Sequence, residues 1–160
     1  MMKRMPRRVR SRRLGFLLGL ALSLPSLSAQ ALIVVNQPWV KPAVARGSSE
    51  AYMNITATDG AVLVAARSES AAAVTLLQPG AGNRASAQLA LPAGTIVELA
   101  PNRYRLSLRG LGKAIRLGDV VRLTLTIKDA KGAVQEVAVG AVARWRSPVE
   151  DERRAHKHRH

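Results

Sequence analysis

Short apolar runs separated by turn residues recur between residues 32 and 142. Apolar and polar residues alternate most regularly in VRLTLTIK, residues 121–128, which predicts a strand with one buried and one wet face. The predicted strands are residues 32–35, 51–57, 62–68, 73–77, 88–91, 95–99, 104–108, 120–128 and 134–139. Many short strands with turn residues between them predict an all-β sandwich.

The segment YRLSLR, residues 104–109, shows the same alternation. If Leu106 and Leu108 point into the core, then Arg105, Ser107 and Arg109 share the opposite face. We expect that face to be exposed to solvent.

The N-terminus has the pattern of an export signal. A basic run, MKRMPRRVRSRR, precedes the apolar LGFLLGLALSLP, and Ala29-Gln30-Ala31 offers a small-x-small cleavage site. The apolar run is shorter than the ~20 residues that span a bilayer, so we predict cleavage near Ala31 and no transmembrane anchor afterwards. Arg12-Arg13 leaves the choice between the general and the twin-arginine export routes open. We expect a periplasmic protein.

Charge and cysteine content narrow the classes of function. The chain has 25 Lys and Arg, and seven of them lie in residues 1–31, so 18 remain against 10 Asp and Glu. This excess favours an acidic protein partner or an anionic membrane surface, and we expect no nucleic acid as partner of an exported protein. The absence of cysteine excludes disulfides, thiolate metal sites and thiol catalysis.

The composition changes after the last predicted strand, where ARWRSPVEDERRAHKHRH, residues 143–160, is too polar to bury. Ser147-Pro148-Val149-Glu150 has the pattern of a helix start, with Ser as N-cap and Glu completing a capping box. The predicted organisation is a signal peptide at 1–31, one β-sandwich at 32–142, and a flexible, basic, His-containing tail at 143–160.

Several short motifs, in order and at near-matching spacing, resemble one known family. They are NQPWVK at 36–41, SEAYMNI at 49–55, LPAG at 91–94, VEL at 97–99, GL at 110–111, LGD at 117–119 and LTLT at 123–126. With these the chain resembles the periplasmic copper chaperones called PCu(A)C. The resemblance implies a cupredoxin-like Greek-key β-sandwich that carries Cu(I) toward cytochrome oxidase assembly, with the assembly proteins as partners.

The copper ligands of that family are missing from the matching positions. The resemblance implies two His and two Met, and the first His falls on Leu77 while the His-x-Met pair falls on Arg105 and Ser107. The remaining Met has no counterpart, because no Met follows Met53. A guanidinium stays protonated and has no lone pair for a metal. We therefore predict that the inherited Cu(I) site is lost.

The tail holds the three histidines of the chain, His156, His158 and His160. An extended chain would place all three on one side, whereas a helix would align Glu152, His156 and His160. Imidazoles suit Cu(II), Ni(II) or Zn(II), so copper bound here is expected as Cu(II) rather than Cu(I). The alternative is a solvated terminus whose histidines bind nothing.

A second candidate surface is basic and contains Arg103, Arg105, Arg109, Lys113 and Arg116. It is either an ordinary solvated face or a docking surface for an acidic protein or an anionic membrane. We do not expect an enzyme, because residues 32–142 contain no His or Cys, their carboxylates show no pairing pattern, and no phosphate-binding loop is present.

Overall fold

The computed structural model describes residues 31–80 and 82–157, so residues 1–30 of the predicted signal peptide lie outside the described residues. Within those residues the chain forms nine strands and one helix. They are β1 Ile33–Val40, β2 Ser48–Ala57, β3 Ala61–Arg67, β4 Ala71–Leu77, β5 Leu89–Leu91, β6 Ile96–Leu99, β7 Arg105–Leu111, β8 Val120–Asp129, β9 Val134–Ala143 and α1 Pro148–Lys157. The all-β prediction is confirmed, although β1 and β9 both extend beyond the predicted segments.

The strands form one curled sheet in the order β4-β7-β2-β1-β9-β8-β3-β5. β1 and β9 are parallel and the other named pairs are antiparallel. One edge of β2 serves two partners, because Ser48 to Ala51 pair with β7 and Met53 to Thr56 pair with β6. This division brings the N-terminal half of β2 against β7.

A single hydrophobic core fills the inside of the curled sheet. β8 shows the predicted alternation, with Val121, Leu123, Leu125 and Ile127 buried. Burial of each such aliphatic side chain contributes about 1.5–3 kcal/mol, so this strand is a main source of stability. β7 differs, because four consecutive residues from Arg105 to Leu108 are buried on both of its faces.

The C-terminal segment contains the predicted helix start. The Glu150 amide donates to the Ser147 hydroxyl at 3.2 Å, which caps α1, and Pro148 is its first residue. Within the predicted tail, Ala143 is the last residue of β9 and Pro148–Lys157 form the helix. In the part of the chain that the structure describes, no helix has the length and apolar character needed to cross a membrane.

Candidate functional site

The positions predicted from the family resemblance lie next to one another. β4 pairs with β7 so that Leu77 is opposite Arg105 and Thr75 is opposite Ser107. On the other side of β7, Glu50 of β2 is opposite Ser107. Leu77, Arg105 and Ser107 are all buried. The structure therefore brings the three expected ligand positions together.

Arg105 is the centre of this region, and the prediction that its side chain faces solvent is wrong. Its side chain is only 8% exposed, and its Nε donates to the Glu50 Oε1 at 2.9 Å. Nη1 donates to the Gln78 carbonyl at 3.1 Å, and Nη2 donates to the Gly82 carbonyl and the Asn83 Oδ1, both at 3.3 Å. Every nitrogen of the guanidinium therefore has an acceptor, as a buried charge requires.

The connection between β4 and β5 is the physical reason for this burial. It folds back as a hairpin, in which the Gln78 amide donates to the Arg84 carbonyl at 2.9 Å and the Ser86 amide to the Leu76 carbonyl at 2.8 Å. Its residues Gln78, Gly82 and Asn83 supply acceptors to Arg105. A hairpin packed over one end of β7 cannot be inferred from the alternation within β7.

Glu50 is a member of this region that the sequence pattern did not single out. Its Oε2 accepts from the Lys41 Nζ at 2.9 Å and from the Tyr52 hydroxyl, while Oε1 accepts from Arg105. The i, i+2 spacing of Glu50 and Tyr52, which puts them on one face of β2, was the available signal.

Aromatic packing completes the cluster around Glu50. The Tyr52 ring lies 4.4 Å from the Trp39 ring, centroid to centroid, and the Lys41 Nζ lies 5.4 Å from the centre of the Tyr52 ring. Tyr52 is fully buried and Trp39 nearly so. We call Lys41, Glu50, Tyr52 and Arg105 the arginine–carboxylate cluster.

The ionisation of this cluster follows from its contacts. Burial alone would raise the pKa of Glu50, but hydrogen bonds from Tyr52, Lys41 and Arg105 outweigh it and hold this pKa below the ordinary 4.5. Burial would lower the pKa of Lys41, and the bonds with Tyr52 and Glu50 raise it instead. Burial, followed by the hydrogen bond to Glu50, raises the pKa of Tyr52 to about 12. The cluster thus favours charged Lys41 and Glu50 beside a neutral phenol.

The donor set of this region determines what it can bind. Leu77 has no donor atom, Arg105 has no lone pair, and Ser107 supplies only a hydroxyl. Among the described residues, no group of three or more His, Cys, Asp or Glu is placed to hold a metal ion. Met53, the last methionine of the chain, is buried in the hydrophobic core.

Only four of the five residues predicted to form the basic face are exposed. Arg103, Arg109, Lys113 and Arg116 are exposed, whereas Arg105 is buried and belongs to the arginine–carboxylate cluster. Arg103 also lies 3.3 Å from the Glu98 carboxylate. Arg109 has no ion-pair partner within residues 31–80 and 82–157. Arg109 is therefore the least neutralised arginine of β7.

The structure describes the backbone of only one of the three tail histidines. His156 lies in α1, while His158 and His160 lie outside the described residues. The extended and helical arrangements of the three imidazoles both stay predictions.

Comparison with known structures identifies the class of fold. A copper-free PCuAC domain from PmoF1 superimposes with a TM-score of 0.60, at 23% identity, over 70% of this chain and 92% of that domain. The copper-bound PCuAC domain from PmoF2 gives 0.57 at 20% identity, over 72% of this chain and 97% of that domain. The solution structure of CuI-DR1885 from Deinococcus radiodurans gives 0.51 at 26% identity, over 72% of this chain and 81% of that protein. The cupredoxin-like fold is therefore that of PCuAC domains, as predicted.

A sequence profile assigns the family within that class. The profile described as "Putative lipoprotein LpqE-like" matches residues 33–139. The chain belongs to this LpqE-like, PCuAC-type family. A search among curated proteins finds no match.

Proposed function

We propose that this protein is an exported, copper chaperone-like protein whose sandwich no longer holds Cu(I) at the family position. The PCuAC fold supports the chaperone-like role. One observation carries the loss of the site: the guanidinium of Arg105 lies buried at the matching position, with acceptors at all three nitrogens. The arginine–carboxylate cluster replaces the metal centre.

The chemistry of Cu(I) supports this proposal. Cu(I) prefers soft thioether ligands and also accepts imidazole, but Leu77, Arg105 and Ser107 provide neither. A copper ion at this place would also lie beside the permanent positive charge of Arg105. Because Glu50 already accepts from Lys41, Tyr52 and Arg105, it has little capacity left for a metal.

In this proposal any copper is carried by His156, His158 and His160, as Cu(II) rather than Cu(I). The proteins that receive it would be cytochrome oxidase assembly proteins or another acidic periplasmic protein. We also propose periplasmic location with cleavage near Ala31, and a binding role without enzymatic activity.

Metal titration of the full chain tests the tail. Calorimetric Cu(II) titration of the wild type is compared with a variant carrying His156→Asn, His158→Asn and His160→Asn. A second variant with Arg153→Gln and Arg154→Gln changes the same segment without removing imidazoles. The proposal predicts that Cu(II) binding disappears only in the histidine variant. Equal Cu(II) affinity in all three proteins would refute binding by the tail.

A second candidate function is docking of an acidic periplasmic protein or an anionic membrane on the basic face, now defined by Arg103, Arg109, Lys113 and Arg116. The exposure of Arg109 without an ion-pair partner among the described residues favours it. Anionic vesicles and acidic proteins at low salt would be the probes. Unchanged binding after Arg109→Ser and Lys113→Ser would exclude this role.

A further inference from the structure

A polar groove of about 570 Å³ lies beside the arginine–carboxylate cluster, where β2 meets the Arg109 end of β7. Six of its lining residues carry charged or hydroxyl groups near the cluster, namely Lys41, Arg46, Ser49, Glu50, Ser107 and Arg109. Three of them are basic and one is acidic, so the groove has an excess of two positive charges. This excess matches a ligand with two negative charges.

The one carboxylate among these lining residues already accepts hydrogen bonds from its neighbours. Glu50 accepts hydrogen bonds from Lys41, Tyr52 and Arg105. Arg46 and Arg109 form no ion pair with any described residue. Their two guanidinium groups are therefore available to an incoming anion, and planar guanidinium groups bind phosphate and carboxylate oxygens through paired hydrogen bonds.

The groove is also lined by a serine that is largely buried but has an accessible hydroxyl. Ser107 is 6% exposed, and within the described chain its hydroxyl makes no hydrogen bond. This hydroxyl is not among the buried polar atoms that lack a partner, so its oxygen is accessible and can donate to a ligand oxygen in the groove. Ser49, which also lines the groove, is held by donation from its hydroxyl to the Lys41 carbonyl.

The backbone conformation of Arg46 is a second, independent observation that favours a ligand site in this groove. Arg46 has φ of 60°, a left-handed conformation that glycine adopts more cheaply than arginine. Its amide donates to the Leu111 carbonyl at 2.8 Å, and the Leu111 amide donates to the Gly47 carbonyl at 3.3 Å, so this conformation is fixed against β7. Unfavourable backbone conformations held by their surroundings concentrate at ligand sites. Here the conformation fixes the backbone from which the Arg46 side chain extends at the groove.

We propose that this groove binds a dianionic oxyanion of the phosphate class, held by Arg46 and Arg109 with help from Lys41 and Ser107. The site goes beyond copper handling and shares only Arg109 with the basic face. A free phosphate and the headgroup of an acidic lipid both present this chemistry, and the experiment separates them.

The test titrates inorganic phosphate into the full chain at constant ionic strength, with calorimetry and backbone amide NMR shifts as readouts. The proposal predicts saturable binding at one site, with shifts centred on Ser48, Ser107 and Gly110. Arg46→Gln with Arg109→Gln should weaken binding at least about tenfold, because two charge-assisted contacts are lost. The matched control Arg122→Gln with Lys128→Gln removes the same charge from exposed positions of β8 and should change affinity less than about twofold.

Arg46→Gly keeps the proposal testable even if the double variant folds poorly. Glycine accepts the positive φ, so this variant should keep its stability while it loses phosphate affinity. Non-saturable binding, or equal weakening in the β8 control, would overturn the proposal. Binding to phosphatidic acid vesicles without binding of free phosphate would assign the groove to a lipid headgroup if Arg46→Gln with Arg109→Gln abolishes it, and would overturn the proposal if that variant leaves it unchanged.

Discussion

The two ends of β7 show how differently one residue type can be used. Arg105 and Arg109 lie on the same strand, four residues apart, and strand alternation predicts one shared, exposed face for both. Arg105 is instead buried, with acceptors from Glu50, Gln78, Gly82 and Asn83. Arg109 is exposed and faces Ala73 on β4 and Ser48 on β2.

The hairpin between β4 and β5 causes this difference. It covers the Arg105 end of β7 and leaves the Arg109 end open. A covered arginine acts as a fixed internal cation, which stabilises the fold when all its nitrogens are paired. An open arginine remains available to ligands. The same strand therefore carries a buried, paired charge at one end and, among the described residues, an exposed charge without an ion pair at the other.

The largest expected effect comes from replacing the covered arginine. Arg105→Leu leaves the Gln78 and Gly82 carbonyls and the Glu50 carboxylate without this donor, so we expect a loss of about 3 kcal/mol in the free energy of unfolding. Arg109→Leu, on the same strand, should change it by less than about 0.5 kcal/mol. Urea unfolding of both variants measures the contrast. Equal losses would show that the two arginines do not differ.

A smaller loss in the free energy of unfolding is expected when Glu50, the carboxylate partner of Arg105, is replaced. Glu50→Gln removes the charge that Lys41 and Arg105 share, and we expect about 2 kcal/mol, less than for Arg105 because Glu50 is 29% exposed. The matched control is Glu136→Gln, whose partner Arg67 is 60% exposed. That control should cost at most about 1 kcal/mol. A larger loss for the control would contradict the importance of the cluster.

Tyr52 should show the ionisation of the cluster directly. With its pKa raised to about 12, its phenol should ionise well above the ordinary value of 10.0. Absorbance titration of the phenolate band is therefore expected to show a component near 12. Tyr52→Phe should remove that component and cost about 1 kcal/mol through loss of the bond to Glu50. If the component survives in Tyr52→Phe, its assignment is wrong.

Lowering the pH is expected to change the stability least, and this change is specific to Glu50. The pKa of Glu50 in the folded protein lies below its ordinary 4.5, so in acid the unfolded chain binds this proton more readily than the native state does. The stability that Glu50 contributes is thus fully present above pH 4.5 and is lost as the pH falls through the lowered pKa. The difference in unfolding midpoint between wild type and Glu50→Gln should therefore narrow in acid. A constant difference down to low pH would refute the lowered pKa.

The fold was largely predictable from the sequence, whereas the cluster was not. Period-two alternation and turn residues locate the strands because both are local properties, as in β8, where Val121 to Ile127 alternate as expected. The Ser147 cap is local as well. The burial of Arg105 depends on a hairpin from a different part of the chain, and its partner Glu50 is 55 residues away in sequence. Such contacts follow from strand register, which the alternation of a single strand does not contain.

The family resemblance predicted where the cluster would be, but not what it contains. It placed Leu77, Arg105 and Ser107 at one site, and the pairing of β4 with β7 brings them together. It gave no role to Lys41, Glu50 or Tyr52, because these residues are not at ligand positions. Glu50 takes part because its carboxylate accepts from the Arg105 guanidinium, and Lys41 and Tyr52 take part because both donate to Glu50.

The central claim is that Arg105, and not Cu(I), occupies the inherited position. Thermal unfolding of the variant without the three tail histidines, with and without excess Cu(I) under reducing conditions, tests this claim directly. A ligand that binds the native state raises the midpoint of unfolding, so absence of binding by the sandwich predicts an unchanged midpoint. A midpoint that rises with Cu(I) concentration in this variant would contradict the account.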